Sequence, residues 1–327
     1  MGAFDGIFGN AETVAALKKS VASEKAAASY IISGPRMSGK YTLTKEFACA
    51  LTEKYSPDTA EIMCKKIRGG ISPDITVCSL DDKRSIGIED IRDIFRTVYT
   101  TPNELDFRMF VVRDAHRLTV QAQNALLKVF EEPPANSYIF LLCESRAKML
   151  PTLVSRAQNL DTEVFDKSDL AAYFKGKFDV SAEREELAYL LSGGSLGKAE
   201  ILLSDGGEIE TYGSVRDLIY SFSASDTTAT LDLCMKTCDT RETCGDVIDL
   251  LCSAVGDMLN ASYSADKKTG FFLTCGEAKR AASGTTPEKL ACLLDRLALL
   301  RDNLDFNANA ASTAVALFIA LKRCFDT

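Results

Sequence analysis

Tryptophan is absent from the 327-residue chain, and histidine occurs once, at His116. One imidazole excludes any site built on two. It leaves a Ser-His-Asp triad or a histidine-rich metal centre dependent on His116 alone. No apolar run reaches the roughly 18 residues of a membrane span, so no membrane partner is expected. Residues Met1–Asn10 carry no basic stretch followed by an apolar one, so no export signal is expected. Basic residues are outnumbered, and the formal net charge is −8. That excludes a broadly basic coat for nucleic acid, though not a local basic strip. The 11 cysteines are odd in number and sit in a long chain. Reduced thiols in the cytosol are the natural reading.

What the chain does have is an ordinary globular balance, 46% hydrophobic and 26% charged. Its length fits two domains or three small ones. The first half alternates two kinds of segment. Short apolar runs at Ser29–Ser33, Ile75–Leu80, Arg108–Val112 and Tyr138–Cys143 are bounded by polar or turn residues and predict strands. Between them, Lys40–Leu51, Ile88–Tyr99 and Thr119–Glu131 carry helical patterns. Thr119 is the expected cap of the last, and Pro133-Pro134 its stop. Strands alternating with helices predict a parallel sheet covered on both faces. After about Val164 the strand patterns give way to helices: Ser168–Phe174, Ala182–Leu191, one from Leu196, and only helical patterns after Val215. Thr286-Pro287 is a cap followed by proline in the first turn. Leu290, Leu293, Leu294, Leu297 and Leu300 form its stripe. The final helix, near Ala310–Phe325, is apolar on most sides and is expected to be buried in its own domain or between subunits. The fold class is therefore α/β, then all-α.

Gly34-Pro35-Arg36-Met37-Ser38-Gly39-Lys40 follows an apolar strand and opens a helix. That is the setting of a phosphate-binding loop. Its glycines turn backbone N–H groups onto phosphate oxygens, and the helix N-terminus adds partial positive charge. The position after Lys40 should carry a short hydroxyl for Mg²⁺, but Tyr41 stands there. Thr42 lies about 100° further round the helix and points elsewhere. The second strand of such a site should end in an acidic pair. Here it runs Phe110-Val111-Val112-Arg113-Asp114-Ala115-His116. Arg113 takes the metal-holding position and repels the cation, and Asp114 takes the water-activating one. With two metal contacts missing, hydrolysis at this loop is not expected. Nucleotide held without catalysis stays open. The favoured reading of Gly34–Lys40 is a tight strand-to-helix turn.

Asn124–Pro134 (NALLKVFEEPP) resembles the segment after the second nucleotide motif of bacterial clamp-loader subunits of the AAA+ class. Pro151–Gln158 (PTLVSRAQ) is similar to their Ser-Arg-Cys segment. Phe4–Asn10 (FDGIFGN), Gly34-Pro35-Arg36, Ile86-Gly87-Ile88 with Ile91-Arg92, Gly194-Ser195-Leu196 and Asn307–Leu321 fit the same family in order. The resemblance is strong over the first 160 residues and weak beyond. It implies an AAA+ nucleotide-binding-like domain over 1–163, a helical lid over 164–207 and a helical collar over 208–327. It implies partners as well: gamma/tau and delta subunits, and through the assembled ring a sliding clamp and primer-template DNA. Within the family some subunits hydrolyse ATP, while a non-hydrolysing type lends an arginine to its neighbour's ATP site. The resemblance makes Arg156 that arginine, supported by Ser155. A guanidinium supplied in trans offsets charge building on the γ-phosphate. Active subunits carry a lid arginine where this chain has Gly197, beside Lys198.

Many relatives hold zinc with four cysteines in the stretch matching Thr52–Asp74. Only Cys64 is present there, so no zinc is expected. Ala157 replaces the usual cysteine of the triplet, which changes packing and not charge. Cys234 and Cys238 share a helix face near Cys244, and buried apolar thiols are favoured over a metal site. His116 is expected to make a structural hydrogen bond. Glu131-Glu132 reads as a helix end, and Asp81-Asp82-Lys83-Arg84 as a solvated loop. Lys83, Arg84, Arg92 and Arg96 form a modest basic group, too small to expect strong DNA binding by this chain alone. The expected role is a non-hydrolysing ring subunit. An active gamma/tau-type ATPase and a stand-alone nucleotide-sensing AAA+ adaptor remain the alternatives.

Overall fold

Five short strands, each too short to satisfy its backbone alone, pair in parallel in the order β2-β3-β4-β1-β5. They are β1 (Ser29–Ser33), β2 (Ile75–Cys78), β3 (Arg108–Val112), β4 (Ser137–Cys143) and β5 (Gln158–Asp161). The computed structural model describes residues 2–23, 27–79, 85–92, 100–205, 207–222, 227–263, 269–305 and 308–325. The chain divides into two units, Met1–Phe165 with Ser195–Gly197, and Asp166–Gly194 with Lys198–Thr327.

In the first unit every residue of β1, β3 and β4 is buried. Side chains alternate across a strand, so the sheet feeds two cores. Tyr30, Ile32, Met109, Val111, Tyr138, Phe140 and Leu142 point to one face. There they meet α1 (Ala11–Ala22), α2 (Lys40–Tyr55) and α3 (Ala60–Gly69) through Leu17, Leu43, Phe47, Leu51, Cys64 and Ile67. Leu43, Phe47 and Leu51 recur every four residues, which is why one stripe of α2 is buried. The Phe47 ring lies 5.2 Å from both Tyr30 and Phe140 and 5.4 Å from Tyr138. Ile31, Phe110, Val112, Ile139 and Leu141 point to the other face. They meet α4 (Val120–Glu131) through Ala122, Leu126, Val129 and Phe130. Thr119 caps α4, its hydroxyl accepting from the Ala122 amide at 3.2 Å. Two charged devices fix the unit's periphery. Glu46 accepts from Arg68 Nε at 2.7 Å and Nη2 at 2.8 Å, and from the Phe4 amide at 2.9 Å. Asn10, in the left-handed region, and Glu163 clasp one another. Glu163 accepts from the amides of Asn10 and Ala11, and Asn10 Oδ1 accepts from the Glu163 amide at 2.8 Å.

The second unit is helical: α6 (Lys167–Phe174), α7 (Ala182–Leu191), α8 (Leu196–Ser204, its first two residues belonging to the first unit), α9 (Gly207–Ser221), α10 (Thr227–Thr237), α11 (Arg241–Tyr263), α12 (Cys275–Ala281), α13 (Pro287–Asp305) and α14 (Ala310–Phe325). A four-residue helix, α5 (Pro151–Val154), precedes β5 in the first unit. Asp166 caps α6 in a reciprocal box with Asp169. α11 packs against α13, which packs against α14. Asp257 is buried and accepts from the amides of Gly270, Phe271 and Phe272. Leu290, Leu293, Leu297 and Leu300 are buried as their stripe predicts.

Three expectations need correction or limits. β5 carries no strand signal in the sequence because its QNLD residues are polar, with only Leu160 buried. α14 is not closed on all sides within this chain, since Val315 and Ile319 are 42% and 45% exposed. The helix expected over Ile88–Tyr99 is described only to residue 92, and Leu80, Asp81, Asp82, Lys83, Arg84, Arg96 and Asn307 lie outside the described residues. Among the described residues no helix is long and apolar enough to cross a membrane.

Candidate functional site

A parallel sheet of this order places its working loops beyond the carboxyl ends of the strands, where the helix N-termini converge. Gly34–Gly39 leaves β1 there and enters α2. Its floor is tight. The Gly34 amide donates to Cys143 O at 3.1 Å, and the Ser38 and Thr162 hydroxyls share a hydrogen bond of 2.7 Å. A Cβ on Gly34 would fall 1.8 Å from Thr162 Oγ1, so the backbone approaches too closely for any side chain. Gly39 at φ 86° takes the left-handed turn into the helix.

Lys40 Nζ donates to the loop's own carbonyls, Gly34 O at 2.7 Å and Pro35 O at 2.5 Å. Burial holds its pKa below the usual lysine value, with Glu144 and Asp114 opposing that shift. Tyr41 stands in the first turn of α2. Lys45 Nζ lies 4.6 Å from its ring centroid, and the Arg113 guanidinium carbon 5.4 Å. Burial raises the Tyr41 pKa, and Arg113 opposes the rise. Arg36–Thr42, Arg113, Asp114, Leu142, Cys143 and Glu144 line a pocket of about 260 Å³. The structure thus brings Gly34, Gly39, Lys40, Tyr41 and Arg113 into one place.

Ligand atoms of Asp114, His116 and Glu144 lie within 4.8 Å of one another. Lys40 and Arg113 line the same pocket as these two carboxylates, so a divalent ion there would meet fixed positive charge. His116 makes the structural bond expected of it, Nδ1 accepting from the Glu144 amide at 3.4 Å. Burial lowers its pKa, with Glu144 opposing. Ser195–Gly197 lies on the loop. Ser195 Oγ donates to Arg36 O at 2.7 Å, and the Gly197 amide to Met37 O at 3.1 Å. A Cβ at Gly197 would sit 2.7 Å from Met37 O.

Ser155 and Arg156 are not part of this pocket. They follow α5 and precede β5, at the amino end of the strands. Tyr30 pairs with Gln158, so the four residue steps from Tyr30 to Gly34 put about 13 Å of strand between Arg156's end of the sheet and the loop. Arg156 is exposed. Its Nη1 donates to Thr152 O at 3.0 Å, and its Nη2 pairs with Glu131 Oε1 at 2.7 Å. Ser155 Oγ donates to the same carbonyl at 3.1 Å. Ala157 packs against the sheet's second core. Glu131 is legible in the sequence only as a helix end, because its partner lies 25 residues on. Glu144 carries a positional signal: it immediately follows β4, as Arg113 follows β3.

Cys64 meets Cys49, whose Sγ lies 3.9 Å from Cys64 O. Cys234, Cys238 and Cys244 are buried. In the helical unit, Lys289, Cys292, Arg296, Ile319 and Arg323 help line a groove of about 470 Å³ between α13 and α14.

A five-stranded parallel sheet with a glycine-bounded loop at its carboxyl end, followed by a helical region, is an AAA+-type α/β P-loop domain with a helical C-terminal part. Residues 9–166 match the family model described as DNA polymerase III, delta subunit. The tau subunit of DNA polymerase III from Bacillus subtilis is 30% identical over 227 residues, 67% of this chain and 38% of that protein. The delta' subunit from Haemophilus influenzae is 32% identical over 129 residues, 39% of this chain and 39% of that protein. The solved structure of a DNA polymerase III gamma subunit-related protein from Thermotoga maritima shares the fold, with a TM-score of 0.56 at 20% identity. That likeness covers 94% of this chain and 98% of the other. The matched stretch spans less than half of the curated relatives' own length. The chain is thus similar, over much of its length, to subunits of DNA polymerase III.

Proposed function

We propose that this chain is a delta-prime-like subunit of the bacterial DNA polymerase III clamp loader. It works in the cytoplasm, does not hydrolyse ATP itself, and donates Arg156 to a neighbouring ATP site. The observation that carries this reading is the contact between Tyr41 and Arg113, the two residues at the metal positions of the loop. An aromatic ring and a guanidinium in contact at those two positions replace the short hydroxyl and the carboxylate that would hold Mg²⁺ there. The loop's Lys40 binds its own backbone, and carboxylates of Asp114 and Glu144 line the space where phosphate oxygens would enter. Arg156 sits exposed beyond reach of this pocket, which suits action in trans and not in cis. In that role its positive charge meets charge growing on the neighbour's γ-phosphate, while Ser155 fixes the turn that presents it. Residues 164–207 act as the lid and 208–327 as the ring-forming collar. The partners are gamma/tau and delta subunits and, through the ring, the sliding clamp and primer-template DNA.

Mixing the chain with gamma/tau and delta subunits tests this reading. A clamp-loading ring should form, and Arg156→Ala should leave it assembled while slowing its ATPase. Unaltered turnover would reject the role of Arg156. The tau likeness favours a second reading, an active gamma/tau-like ATPase. Tight binding of ATP·Mg²⁺ by the isolated chain would support it.

A further inference from the structure

We infer that Glu131 is a positioning residue: a resident anion that holds Arg156 and is displaced by the γ-phosphate of the neighbour's nucleotide. This rests on the proposed trans role of Arg156.

A guanidinium can grip a phosphate with two hydrogen bonds along either of two edges, Nε–Nη2 or Nη1–Nη2. Both edges use Nη2. In this chain Nη2 lies 2.7 Å from Glu131 Oε1, and Nη1 is already donated to Thr152 O. The nitrogen common to both edges therefore already faces a carboxylate, which competes with a phosphate for it. That carboxylate comes from the last residue of α4, a different element from the turn that carries Arg156. The arrangement restricts the long arginine side chain to one pose. It also supplies a counter-charge with which an incoming γ-phosphate must compete.

The strength of the hold suits exchange. The Glu131 and Arg156 side chains are 52% and 39% exposed, so water and salt screen the pair. An exposed pair of this kind shifts an equilibrium by roughly two- to five-fold. The neighbour's phosphate carries more charge than one carboxylate and arrives in a drier interface, so it wins the competition. Glu131 then tunes how much nucleotide the neighbour needs before Arg156 engages. It does not change the chemistry once the arginine is in place.

The test is steady-state ATPase of the reconstituted ring with Glu131→Gln, Arg156→Ala and the double variant. Glutamine keeps the shape and an acceptor oxygen but removes the charge. Glu131→Gln should lower the half-saturating ATP concentration about three-fold with kcat unchanged, and the Asp variant should fall between it and the parent. With Arg156 already alanine, the Glu131 substitution should change nothing further. A half-saturation that does not move would overturn the inference, as would a fall in kcat, a ring that fails to form, or an equal shift without Arg156. If Arg156→Ala alone leaves turnover unaltered, the trans role itself fails. That outcome is distinct from a silent Glu131 beside an effective Arg156.

Discussion

Arg113 lies over the ring of Tyr41, 5.4 Å from guanidinium carbon to centroid. These residues come from the end of β3 and the start of α2, 72 positions apart in the chain. Each alone would disturb a metal site, and together they stabilise each other through a cation–π contact. The two residues at the expected metal positions are thus packed together and not independent of one another.

Replacing Tyr41 with Thr and Arg113 with Asp should restore ATP·Mg²⁺ binding only when both changes are made. Either substitution alone leaves its partner in the metal's place. Titration of a fluorescent ATP analogue should show at least about ten-fold tighter binding for the double variant, the scale of one or two charge-assisted contacts. Equal gains from the two single variants would contradict the coupling.

Gly197→Ala should lift Ser195–Gly197 from the loop. The new Cβ would meet Met37 O at 2.7 Å, backbone against which nothing flexible can yield. The expected cost is about 1–3 kcal/mol. Hydrogen exchange should show faster exchange at the Gly197 amide, with the β1 and β4 amides still protected.

Acid should weaken the first unit through Glu46. Burial alone would raise this carboxyl's pKa, but the Arg68 hydrogen bonds and the Phe4 amide outweigh it and hold it below the ordinary 4.5. A carboxyl lowered on folding adds stability that is fully present above its unfolded value and is lost as pH falls through the folded one. Denaturation midpoints should therefore hold above about pH 5 and fall below about pH 4. Glu46→Gln should flatten that dependence and cost about 1–3 kcal/mol at neutral pH.

Thiol reactivity should separate one cysteine from the rest. Cys292 is exposed, whereas the other ten are buried or half-buried. Burial pushes Cys143 and Cys252 up to about 11, away from the reactive thiolate. A disulfide reagent on the native chain should show one fast-reacting group. Cys292→Ser should abolish that phase, with the half-buried Cys78, Cys252 and Cys275 reacting more slowly and the buried thiols only on unfolding.

Much of the fold is legible in the sequence because its cues are local. Ser29–Ser33 and Arg108–Val112 are bounded by turns and form the strands expected of them. The Thr119 and Thr286-Pro287 caps open helices as their chemistry predicts, and the loop from Gly34 is marked by its glycines. The polar edge strand Gln158–Asp161 carries no such cue, because register with β1 and not composition makes it a strand. Pairings across the sheet are silent for the same reason. Nothing near Glu131 announces Arg156, and nothing near Asn10 announces Glu163.

The clasp between Asn10 and Glu163 joins the start of α1 to the exit of the unit's final strand. Topologically the unit is a ring closed without a covalent bond. A circular permutant linked across that seam and opened at an exposed turn elsewhere, such as Pro134–Asn136, should therefore keep the same sheet.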